Sequence, residues 1–71
     1  MNSRRKVIVK LEGYMKLKKM TKQVLANKWG KNEYYVYRRF SEEVEFSLTD
    51  IIELISILKL TRDEAIDIFF N

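Results

Sequence analysis

Along the 71 residues the apolar positions recur at spacings of three and four, the rhythm of helices that each turn one face inward. Ile8, Leu11, Tyr14, Met15 and Leu17 form the first such stripe and predict a helix from about Arg5 to Lys18. A basic N-terminal arm over residues 1–6, able to touch phosphates, is predicted ahead of it. Val7, Ile8 and Val9 are β-branched, but no second strand is visible for them to pair with. Gly13 sits mid-helix, where glycine costs about 1 kcal/mol relative to alanine. Thr21, with a capping hydroxyl, opens a second helix from Lys22 to Trp29, whose apolar residues are Val24, Leu25, Ala26 and Trp29. Trp29 falls on the buried stripe and reads as a core plug. Gly30 stands where the chain must reverse, suited to a left-handed backbone. Asn32 caps a third helix from Glu33 to Phe40, in which Val36 and Phe40 face inward at i and i+4. That leaves Glu33, Tyr34, Tyr37, Arg38 and Arg39 on the other faces, with Tyr35 half buried.

The loop from Ser41 to Phe46 carries Val44 and Phe46, expected to fold back over the core. A capping box, Ser47-Leu48-Thr49-Asp50 with Asp in place of the usual Glu or Gln, starts a fourth helix running to Leu58. Its apolar residues cover more than one face, so it is either enclosed or has a partner. The box Thr61-Arg62-Asp63-Glu64 starts a fifth helix with Ala65, Ile66, Ile68, Phe69 and Phe70. One terminal aromatic suffices for the core, so Ile52, Ile57 and Phe70 are predicted as a dimer or partner patch. The whole pattern predicts a single compact all-α domain over residues 1–71, with five helices and a helix-turn-helix at helices 2 and 3.

Charge changes this picture from a scaffold to a polarised one. Residues 1–39 carry twelve Lys and Arg against two Glu, a net +10, whereas residues 40–71 carry two against eight, a net −6. A basic half suits an anionic partner such as DNA, with the acidic half turned away. Composition narrows the chemistry further. The chain has neither Cys nor His, which removes disulfides, thiolate or imidazole metal sites, and Cys-His or Ser-His catalysis. The carboxylates lie in capping patterns and not around a cleft, so the chain reads as a non-enzyme without metal or cofactor. With no apolar run near the roughly 20 residues of a membrane span and no signal-peptide core, the expected location is cytoplasmic.

From Lys10-Leu11-Glu12-Gly13 through Met20-Thr21, Leu25-Ala26, Gly30, Val36, Phe40, Phe46-Ser47-Leu48, Leu58, Leu60 and Ile68-Phe69-Phe70, the sequence resembles the Cro/CI-like helix-turn-helix regulators of temperate phages of Gram-positive bacteria. The resemblance implies a lambda-repressor-like DNA-binding domain in a bacterial cytoplasm, with double-stranded operator DNA as partner. Carried over residue by residue, Lys22 takes the place of a phosphate-binding Gln and Gln23 follows it at the start of helix 2. Glu33, Tyr34, Tyr37 and Arg38 take base-reading positions, and Lys28, Lys31, Asn32 and Arg39 line the contact, the lysines and Arg39 on phosphates. Arg38 could pair bidentately with a guanine. Two departures open an alternative. Glu33 stands where the family usually has Gln, Ser or Arg, and the usual Asn-Gly after helix 3 is replaced by Ser41-Glu42, followed by Glu43. Tyrosine and arginine also dominate protein hot spots. Glu33, Tyr34, Tyr37, Arg38, Glu42, Glu43 and Glu45 could therefore grip the phage lysogeny repressor, as the modulator-of-repression type does.

Overall fold

A computed structural model describes residues 3–70 and shows an all-α domain of five helices, with no strand among the described residues. They are α1 (Ser3–Leu17), α2 (Lys22–Trp29), α3 (Glu33–Phe40), α4 (Leu48–Ile57) and α5 (Arg62–Phe69). Each predicted N-cap holds its helix. The side chains of Thr21, Asn32, Ser47 and Thr61 accept from the backbone N–H of Val24, Tyr35, Asp50 and Glu64 respectively. Both capping boxes close reciprocally, including the one built with Asp50.

The four turns share one geometry. Met20, Lys31, Glu43 and Leu60 each donate their N–H to the carbonyl five residues back, around a left-handed residue at Lys19, Gly30, Glu42 and Lys59. Only Gly30 adopts that backbone without a steric cost; the other three positions carry a Cβ into it.

The core is built from Ile8, Leu11 and Met15 of α1, Leu25, Ala26 and Trp29 of α2, Val36 and Phe40 of α3, Leu54 and Leu58 at α4, and Leu60, Ala65 and Ile68 around α5. α1 packs on α5, and α2 packs on both α3 and α4. Val44 and Phe46 are half buried, and Phe46 meets Phe40 edge to face at 5.7 Å, as the loop was expected to do.

Three expectations change. α1 begins at Ser3, so Arg4, Arg5 and Lys6 lie in helix and not in an arm; Met1 and Asn2 fall outside the described residues. The reason is tertiary: Arg4 donates to the Glu42 carbonyl at 2.9 Å and to the Glu45 carboxylate, and Arg5 pairs with Glu42. Leu17 is 79% exposed, because two residues past Met15 the helix has turned to its far side. Ile57 is half buried against the core, on the side of α4 that faces Lys28 and Trp29, so it does not share a face with exposed Ile52. Ile52 and Phe70 remain open, as predicted.

Candidate functional site

The α3 surface follows from its period. With Val36 and Phe40 buried, Tyr34 and Arg38 fall about half a turn away and Glu33 and Tyr37 on the flank between, and the four form one continuous exposed surface. Tyr34 and Tyr37 stack at 6.4 Å with their planes 21° apart, and the Arg38 guanidinium lies 5.6 Å over the Tyr34 ring. The guanidinium fork is thus held along the helix and stays open to solvent.

What holds α3 at its angle is a buried polar network. Asp50, 1% exposed, accepts from Arg39 Nε at 2.8 Å, from the Tyr35 hydroxyl, and from the Ser47 backbone N–H at 2.9 Å. Arg39 also stacks on the Tyr35 ring at 3.5 Å, and Tyr35 meets Trp29 edge to face. Trp29 Nε1 in turn donates to Glu53 at 2.8 Å, tying α2 to α4. Burial alone would push the Asp50 carboxyl up, but the hydrogen bonds from Arg39, Tyr35 and Ser47 outweigh it and hold the group below the ordinary carboxylate range. Burial, then the bond to Asp50, pushes the Tyr35 phenol up. No buried side-chain polar atom among the described residues lacks a partner.

This network corrects one site residue. Arg39 is expected on phosphates, yet its side chain is 13% exposed and committed to Asp50, so it positions α3 and offers little surface to a ligand. The sequence signal that could have found it is the i,i+4 pair Tyr35-Arg39, which lies between the buried and exposed stripes, together with a capping Asp on the mainly apolar helix 4.

The other predicted residues fall as follows. Gln23 and Lys28 are exposed on α2, and Lys31 sits over the Tyr35 ring at 4.9 Å. Asn32 is exposed, but its side-chain oxygen is occupied as the α3 cap. Lys22 is exposed, with its ammonium 2.8 Å from Glu12 and 5.1 Å over the Phe40 ring. Beside it a groove of about 310 Å³ runs between α2 and α3, floored by Val36 and Phe40 and walled by Tyr37, Glu33 and the Lys22 stem. After α3, Glu43 accepts from the Ser41 hydroxyl, and Glu42 and Glu45 are held by Arg5 and Arg4. The structure therefore brings Glu33, Tyr34, Tyr37 and Arg38 onto one face, with Lys22 at its edge, and separates Arg39 from them.

Among the described residues no three His, Cys, Asp or Glu side chains are grouped to hold a metal ion, and no helix is long and apolar enough to cross a membrane. Compared with protein-family models, with curated proteins and with solved structures, the chain matches none.

Proposed function

We propose that the chain is a helix-turn-helix transcriptional regulator of the phage lysis-lysogeny type, a non-enzymatic protein that works in the bacterial cytoplasm and reads operator DNA through α3. The observation that carries this reading is the exposed α3 stripe of Glu33, Tyr34, Tyr37 and Arg38, mounted by the Arg39–Asp50 pair, with Lys22 at its edge and Lys28 and Lys31 exposed on and just after α2. Base contacts would come from Arg38 and the tyrosines, and phosphate contacts from the lysines. Lys22 would exchange Glu12 for a phosphate.

The test is a titration against phage promoter DNA at several salt concentrations. Arg38→Ala should relax sequence preference by about 1–3 kcal/mol at one base pair. Lys22→Ala should weaken every sequence alike and lower the salt slope by about one. An affinity indifferent to salt would sink the DNA reading.

A second reading has its own support. The loop after α3 carries exposed Glu43 and Glu45, with Glu42, and the apolar groove at Val36 and Phe40, bordered by Glu33 and Tyr37, gives a side-chain pocket that DNA has no use for. Both features suit a protein with a basic, DNA-reading surface, such as the phage lysogeny repressor. Tight binding to the repressor, with DNA binding only in the millimolar range, decides for this antirepressor role.

A further inference from the structure

The helix α1 ends at a groove that half-buried Met20 floors together with the edge of Met15, which is 3% exposed. Its last turn closes through Met20 N–H to the Met15 carbonyl at 2.8 Å and Lys19 N–H to the Lys16 carbonyl at 3.1 Å, around Lys19 at φ 57°. In this closure the side chains at the two ends of the longer bond, here Met15 and Met20, are the ones brought together. They line one open groove of about 610 Å³, between the end of α1 and the start of α2. The groove's rim is cationic: Lys16, Lys19 and Lys22 border it, against Glu12 alone, whose carboxylate is paired with Lys22.

We propose that this groove docks an acidic segment of a protein partner, with apolar side chains seated on Met20, beside the edge of buried Met15, and carboxylates meeting Lys16 and Lys19. Charge complementarity chooses the occupant. Surplus lysines call for an anion, and unbranched, polarizable methionines adapt to apolar side chains of varied shape. A phosphate backbone would satisfy the lysines but bring nothing to the methionine floor; an amphipathic acidic segment matches both. The site needs no contact with the α3 stripe and stands whichever target that stripe has. Lys22 borders both grooves, however, so a seated segment ends at the edge of the α3 face.

The experiment follows the ¹³C-methyl signals of Met15 and Met20 in the full chain. The probe is a synthetic peptide of about fifteen residues with Leu and Phe at i and i+4 among glutamates. Saturable shifts of both methyls are expected, with binding at least about tenfold weaker in the double variant Lys16→Glu, Lys19→Glu, whose helical circular dichroism stays unchanged. The proposal is overturned if the methyls do not move at millimolar peptide, or if a lysine-for-glutamate peptide moves them equally. It is likewise overturned if duplex DNA reproduces the shifts, or if they grow with protein concentration alone, since the occupant is then a phosphate backbone or a second copy.

Discussion

Asp50 does three things with one carboxylate: it completes the α4 capping box, fixes Arg39, and accepts from Tyr35. A buried charge in that position is tolerable only because both carboxylate oxygens have donors, one on Oδ1 and two on Oδ2. Asp50→Ala leaves the Arg39 guanidinium buried without its anion, and the expected loss is roughly 3–5 kcal/mol. For 71 residues the whole stability is about 4–10 kcal/mol, so urea denaturation of this variant should find a largely unfolded or marginal protein. A loss under about 1 kcal/mol would mean that the network is not what mounts α3. Arg38, three positions from Tyr35 and one from Arg39, is the contrast: with only the Tyr34 ring beneath it, it is placed for recognition and not for stability.

At the scale of elements, the helices are short, eight to fifteen residues, and isolated segments of that length are marginal in water. Caps and turn closures therefore matter more than propensity. The glycines are used unevenly. Gly30 occupies a left-handed turn position that favours glycine, whereas Gly13 sits within α1 with nothing within 4 Å of where a Cβ would be. Lys59, by contrast, holds a left-handed backbone at φ 51° without glycine's freedom. Gly13→Ala and Lys59→Gly should each stabilise by roughly 0.5–1 kcal/mol, the first through helix propensity and the second through relief of backbone strain. Thermal unfolding checks this, with a rise of several degrees expected from the pair together. Glu42 has the same backbone strain, but there Arg4 on the carbonyl and Arg5 on the carboxylate hold the turn against α1.

For the whole molecule, the separation of charge along the sequence is partly undone in space. Arg4 and Arg5, counted with the basic half, are turned onto the acidic loop, and Lys10 and Lys18 reach Asp67 and Glu64 on α5. Most of these pairs are exposed enough to contribute at most about 1 kcal/mol each, so they orient more than they stabilise. Global stability should instead follow the groups with shifted titration. Asp50 and Glu64 are held below their ordinary range, Asp50 by the bonds that outweigh its burial and Glu64 first by the Thr61 backbone N–H. Their contribution is complete above the unfolded-state range near pH 4 and is lost as the pH falls through the folded-state values. Tyr14, through its bond to Asp67, and Tyr35, through burial, are pushed up, so their contribution is lost only above about pH 10. Melting temperature should be flat through neutrality and fall at the acid edge, with a shallower acid limb in Asp50→Asn. An equally steep limb in that variant would assign acid unfolding to other groups.

Much of this was legible in the chain because it is local. Helix period, four N-caps, two capping boxes, the Gly30 turn, and the exposure of Tyr34 and Tyr37 depend on residues within a few positions of each other, and the sequence by itself determined them. Long-range pairing was not legible. Whether Arg39 meets a phosphate or Asp50, whether Arg4 forms an arm or clamps the loop 41 residues away, and whether Met20 is fully covered are decided by where elements distant in sequence come to rest. A charge has no periodicity to announce its partner; only the packing of α1 against the loop and α3 against α4 selected which cations remained at the surface and which were spent inside.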